Sequence, residues 1–166
     1  MSKAVSQPAS PQVSIFVEVI NNTAHRIQGK KLIEFATAAL QILGKSHAIN
    51  FEQAGLVLVF VELKEMQAIN KKYRKKNKPT DVLSFGSDEG LGELILCVDV
   101  IKEYALKHRI RIQDELTYVV LHGIIHLLGY DHETSAKDAR KMFQLQDQLY
   151  NRLAEKFSLK SVQRTD

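Results

Sequence analysis

Apolar and β-branched runs alternate along the chain with apolar positions at helical spacing, and the changes mark the elements. Val13 to Ile20 (V-S-I-F-V-E-V-I) is rich in β-branched residues and predicts a strand. Lys30 to Leu43 carries Leu32, Ile33, Phe35, Ala36, Ala39, Leu40 and Leu43 at helical spacing, with Gly44 as its stop. Leu56 to Leu63 is a continuous apolar run of strand length, which predicts a central strand. From Lys64 to about Tyr73, Met66, Ile69 and Tyr73 share one helical face. Val82–Phe85 and Glu93–Val98 read as short strands, and the turn residues between them fit an antiparallel hairpin. Asp99 is the expected cap of a helix reaching about His108. Gln113 to Leu128 is apolar on most faces and predicts a deeply buried helix. Ser135 and Asp138 offer a capping box to a last helix, whose inner stripe is Met142, Leu145, Leu149, Leu153 and Phe157.

The order β-α-β-α-β-β-α-α-α defines an α+β chain. It predicts a single domain, a mixed sheet of about four strands packed with helices. Residues 1–12 are polar, with Pro8 and Pro11, and are expected to be a disordered arm. Residues 13–157 form the expected single catalytic domain, and 158–166 a flexible tail.

Composition changes this picture little. With 45% apolar and 25% charged residues, the chain has the balance of an ordinary globular protein. Cys97 is the only cysteine, so no intrachain disulfide forms, as suits a reducing compartment. It lies in an apolar run and reads as a small buried hydrophobe. The start MSKAVSQPASPQ lacks the apolar core of a signal peptide, and no apolar run reaches the length of a membrane span. Charge is more telling. Lys64, Lys71, Lys72, Arg74, Lys75, Lys76 and Lys78 face only Glu65 and Asp81 within residues 64–81, so this one segment supplies the basic excess of a chain of net charge +4. Clustered positive charge is the footprint of a polyanionic partner.

Half of the six histidines fall between His122 and His132, in H-G-I-I-H-L-L-G-Y-D-H. His122 and His126 are one helical turn apart on one face. Gly129 is placed to end the helix in a left-handed residue, which lets His132 fold back on the other two. Three imidazoles with an open fourth position are the ligand set of a catalytic zinc. A lone H-x-x-x-H pair is usually polar surface or satisfied core, but the third histidine after a glycine turn shifts the balance to a metal. The spacing H-x-x-x-H-x-x-G-x-x-H matches the metzincin signature except that Gly123 replaces the glutamate that serves as general base. Gly123 either leaves room for a bulky substrate or allows a neighbouring element to pack closely. Asp131 either orients a ligand histidine or caps the turn, and Glu133 is a candidate base. The other histidines have blander readings: His25 in a solvated loop, His47 exposed, His108 on a solvated basic face. Gly44-Lys45-Ser46 resembles the end of a phosphate-binding loop, but Ala39 stands where that motif needs glycine, and the motif should open a helix rather than close one.

Three stretches together resemble the YbeY family of bacterial rRNA maturation factors, described as metal-dependent endoribonucleases. They are Asn70 to Phe85 with Y-R at Tyr73 and Arg74 and P-T-D-V-L-S-F from Pro79, L-G-E-L-I-L-C from Leu91, and His122 to His132. Gly86, Glu93 and Ile125 depart from the residues usual in that family. The resemblance implies His122, His126 and His132 as ligands of one Zn2+ per chain, and Arg74 as the important basic residue beside them. It implies a cytoplasmic zinc-dependent endoribonuclease whose partners are single-stranded regions of small-subunit rRNA and ribosomal or assembly proteins, acting in rRNA maturation and ribosome quality control. Chemistry agrees. Zinc on neutral imidazoles brings the pKa of a bound water toward roughly 7, so that no strong protein base is needed. An arginine fork binds phosphate bidentately and stays charged, whereas Lys71, Lys72, Lys75, Lys76 and Lys78 track the RNA backbone. Two other classes compete: a non-catalytic ribosome-assembly factor with a structural zinc, and a metalloprotease-like hydrolase. The first would want a fourth ligand; the second lacks its glutamate.

Overall fold

The computed structural model describes residues 15–47, 54–130 and 135–162. The expected arm at 1–12, and His132 with its neighbours Asp131 and Glu133, lie outside the described residues.

A four-stranded sheet organises the chain in the order β1 (Phe16–Asn21), β2 (Gly55–Phe60), β4 (Leu91–Leu96), β3 (Val82–Gly86). The β1–β2 and β2–β4 pairs are parallel, and β3 returns antiparallel on β4 as the predicted hairpin. The sheet is therefore mixed, as expected. Its helices are α1 (Gly29–His47), α2 (Leu63–Arg74), α3 (Val98–His108), α4 (Ile112–Leu127) and α5 (Ala136–Phe157).

Strand alternation divides the core into two. Leu56, Leu58 and Phe60 of β2 and Leu94 and Leu96 of β4 are wholly buried under α1, α4 and α5. The opposite face carries α2, whose Met66 packs with Val61, Leu83, Ile95 and Cys97 in a smaller cluster. Helix α4 sits deepest. Val119, Val120, Leu121, Ile124 and Ile125 are all buried, as its all-round apolar sequence predicted, and it packs against β3 and β4.

Boundaries moved where burial outweighed a local signal. Helix α1 runs through Gly44 to His47. An interior glycine costs only about 1 kcal/mol, less than the buried Leu40 and Leu43 contribute on the same helix. The helix also removes any phosphate-loop geometry from Gly44-Lys45-Ser46. Strand β2 ends at Phe60, and Leu63 opens α2 half-exposed rather than closing the strand. Cys97, not Asp99, is the N-cap of α3 and makes no side-chain cap bond; Asp99 sits in the first turn. The α5 cap is as predicted: the Asp138 backbone N–H donates to Ser135 Oγ at 3.1 Å. Of the stretch expected as a tail, residues as far as Val162 pack back on the body. Lys160 N–H donates to Asp114 Oδ1 at 3.2 Å, Tyr150 O–H donates to the Lys160 carbonyl at 3.2 Å, and Val162 is buried.

Candidate active site

His122 and His126 project from the last turns of α4 at the β3 edge of the sheet. Their Nε2 atoms lie 3.1 Å apart, with the rings nearly perpendicular at 4.6 Å between centroids. At that Nε2 separation the two rings are within hydrogen-bond reach of each other, and as neutral imidazoles on one helical face they suit the donor set of a zinc-type ion.

A residue from another helix fixes one of these rings. Gln146 is fully buried on α5, and its Nε2 donates to the Tyr118 carbonyl at 3.3 Å. That turns Oε1 toward His122, whose Nδ1–H donates to it at 2.9 Å. With the proton held on Nδ1, the Nε2 lone pair points at His126 and away from the core. The His122 ring also stacks on Phe143 at 6.2 Å between centroids. Beyond His126 the helix ends as predicted, with Gly129 at φ 89° and its N–H bonded to the His126 carbonyl at 2.9 Å. The third expected ligand, His132, lies outside the described residues.

Arg74 ends α2 and lines the same cleft. A hollow of about 450 Å³ is walled by Arg74, Ser84, Gly86, His126, Leu127 and Tyr130. A second, of about 270 Å³, brings Arg74 together with Asn70, Asp81, Ser84, His122 and His126. The structure thus unites Arg74 with two histidines some fifty residues further along the chain. The basic segment beyond it is shaped rather than loose. Buried Asn70 donates from Nδ2 to the Lys78 carbonyl at 2.7 Å. Lys75 takes the left-handed conformation at φ 60° to close the helix. Lys71, Lys72, Lys75, Lys76 and Lys78 are all exposed.

Gly123 has a packing role. A Cβ there would lie 2.8 Å from both methyl carbons of Leu94, and its carbonyl accepts from Ser84 Oγ at 3.3 Å. Close approach of α4 to β4 accounts for the glycine.

Sequence reasoning missed Gln146, Ser84 and Asp81 as members of the site. Gln146 had a signal: it stands four residues after Met142 and three before Leu149, on the inner face of an otherwise apolar stripe. His25 was also misread. It is half-buried; its Nε2 is 2.9 Å from Asp99 Oδ1 and its Nδ1 2.9 Å from Lys102 Nζ. Among the described residues, His25, Glu62 and Asp99 form a group of potential metal donors within 4.8 Å of one another. Both ring nitrogens are engaged, however, one of them with an ammonium that repels a cation. His108 is half-buried and stacks on Tyr104 at 4.1 Å between centroids. Cys97 is fully buried as expected, and burial pushes its thiol pKa up, which keeps it protonated and inert. No helix among the described residues is long and apolar enough to cross a membrane.

Fold and site define a class: an α+β protein with a paired-histidine site at the antiparallel edge of a mixed sheet. The chain belongs to the YbeY family, whose model, described as endoribonuclease YbeY, matches residues 18–154. The endoribonuclease YbeY of Bdellovibrio bacteriovorus is 43% identical over 148 residues, 87% of this chain and 99% of its own. That of Petrotoga mobilis is 37% identical over 142 residues, covering 82% and 94%. The solution structure of TM1509 from Thermotoga maritima matches with a TM-score of 0.60 at 28% identity, over 87% of this chain and 92% of that one.

Proposed function

We propose that the chain is a metal-dependent endoribonuclease that cuts single-stranded RNA. Its substrate is small-subunit rRNA, and it acts in the cytoplasm in rRNA maturation and ribosome quality control, alongside ribosomal or assembly proteins. One domain, residues 13–157, carries the activity. The observation that carries the reading is the convergence of His122 and His126, 3.1 Å apart at Nε2, in one cleft with Arg74. Relatives named endoribonuclease YbeY over nearly the whole chain support it.

In this reading His122, His126 and His132 hold one zinc ion through nitrogen. When bound there, such an ion supplies Lewis-acid activation of a water near neutral pH and positive charge beside a phosphate. The residues of the chain do the rest. Gln146 keeps the His122 proton on Nδ1, so that Nε2 is available as a donor atom. Arg74 takes two nonbridging phosphate oxygens with its planar fork and stays charged throughout. The five lysines neutralise flanking phosphates and draw RNA to the cleft.

The test is cleavage of a single-stranded RNA by pure protein as zinc is titrated in, with elemental analysis of protein purified without chelator. About one transition ion per chain and metal-dependent cleavage are expected. Metal retained unchanged in a His122→Ala/His126→Ala double variant would remove the ligand assignment.

A further inference from the structure

Strand β3 has two sides. Ser84 and Gly86 face the histidine cleft. Phe85, between them, points to the opposite face and forms the floor of a separate groove of about 490 Å³ with Ile69, Lys72, Tyr73, Glu93 and Ile95. Tyr73 is the residue before Arg74, so the groove and the cleft meet around the end of α2 and the edge of the sheet.

Three features of this groove suit a nucleobase. Tyr73, in the last turn of α2, is 57% exposed. It is nevertheless held: it meets Phe85 edge to face at 5.0 Å between centroids, and Lys72 Nζ lies 4.9 Å from its centre. A fixed, exposed aromatic face amid a basic segment is how proteins bind the bases of single strands, because every base has a face to stack while lysines meet the phosphates. Third, Glu93 stands directly opposite Phe85 in the β-ladder and is exposed at the groove. Its carboxylate only accepts hydrogen bonds. Within a surface that attracts RNA, an acceptor-only group selects a donor, and cytosine, adenine and guanine each present an exocyclic amino group on a base edge. The donor of uracil, its ring N3–H, lies between two carbonyl oxygens that a carboxylate repels.

We propose that this groove is a nucleobase subsite, in which Tyr73 stacks the base adjoining the phosphate held at Arg74 and Glu93 selects a base with an exocyclic amino group. The proposal rests on the endoribonuclease reading and deepens it by assigning a substrate preference. Tyr73 and Glu93 are binding residues and take no part in bond breaking.

The chain has no tryptophan, so Tyr73→Trp installs a single reporter. Short homo-oligomers of cytidine, adenosine and uridine are mixed with the metal-loaded full chain in a stopped-flow cell, so that binding is read before the RNA is cut. Saturable quenching of the tryptophan is expected, stronger for the cytidine and adenosine oligomers than for uridine. Tyr73→Ala should raise Kd and KM for RNA roughly tenfold, with kcat and metal content near those of the parent, and Tyr73→Phe should restore binding. Glu93→Ala should abolish the preference over uridine. Unchanged binding and KM in Tyr73→Ala, or no quenching in Tyr73→Trp, overturns the subsite. An undiminished preference in Glu93→Ala overturns the selection by Glu93. These outcomes require a parent that cuts RNA; a metal-loaded parent that neither binds nor cuts it overturns the endoribonuclease reading and the subsite together.

Discussion

Gln146 reaches from the buried face of α5 and accepts a hydrogen bond from the Nδ1–H of His122 at 2.9 Å, so a helix with no proposed metal ligand sets the tautomer of one. Gln146→Leu keeps the size and burial of the side chain but removes that acceptor. Outer partners of ligand histidines are worth about 10- to 100-fold in metal affinity, and a loss of that order is expected with His122 and His126 intact. Competition with a coloured chelator measures it. Nitrogen NMR of the His122 ring should show the Nδ1-protonated form in the parent and a mixture in the variant. Parent-like affinity and tautomer would mean that the Gln146 contact serves packing alone.

Arg74 and the histidines share a cleft but should fail differently. Arg74→Ala is expected to lower RNA cleavage severely while zinc content and thermal unfolding stay near those of the parent. Arg74→Lys should not fully rescue, because an ammonium lacks the two-point fork. An Arg74→Ala protein that turns over RNA like the parent, below saturation and at it, removes the residue from the chemistry.

The lysines contribute through counterions. For single strands, log affinity falls against log salt by about 0.7 per neutralised phosphate. If three of Lys71, Lys72, Lys75, Lys76 and Lys78 contact phosphate, neutralising those three should flatten the slope by roughly 2, similarly for all RNA sequences. An unchanged slope would make the cluster a solvated face.

Much of this was legible beforehand because the elements are locally consistent. β-branched and continuous apolar runs marked the strands, and apolar positions at helical spacing the helices, of the described residues in their order; histidine spacing pointed to the cleft that holds His122 and His126. What stayed hidden were contacts distant in sequence. Gln146 meets His122 across 24 positions, and His25 finds Lys102 across 77. No periodicity reports either one. Gly123 was ambiguous for the same reason: only the structure shows Leu94 lying against it.

Two glycines near the cleft should respond very differently to alanine. At Gly92 the backbone has φ 150°, and a Cβ would sit 2.0 Å from the Phe85 carbonyl oxygen and 2.9 Å from Gly86 Cα. Backbone cannot yield there without opening the hairpin, so Gly92→Ala should cost more than about 4 kcal/mol, the range of severe single substitutions. At Gly123 the clash is with the methyl ends of Leu94, which can turn. Overpacking of about 1–3 kcal/mol is offset by about 1 kcal/mol of helix propensity, which leaves a small net loss. Urea unfolding of both variants checks the order, and a Gly92→Ala protein as stable as Gly123→Ala would contradict it.

The last prediction concerns alkaline pH. Tyr150 is buried, and its O–H donates to the Asp114 and Lys160 carbonyls at 3.1 and 3.2 Å. Burial, and after it the negative charge of Asp114 and Glu115, pushes its pKa up from 10.0 to about 12, against an opposing Thr117 hydrogen bond and the Arg111 charge. The unfolded phenol releases its proton near 10 while the folded one keeps it to about 12. Between those values the folded state binds more protons than the unfolded, so stability must fall as pH rises. The contribution is fully present below pH 10 and gone above about 12. Other tyrosines and lysines titrate in the same range, so the comparison is with Tyr150→Phe. That variant should lose about 1 kcal/mol at neutral pH through the missing hydrogen bonds. It should then decline less steeply than the parent from pH 10 upward, so that the two urea midpoints converge. Parallel decline of parent and variant would show that Tyr150 is not the group responsible.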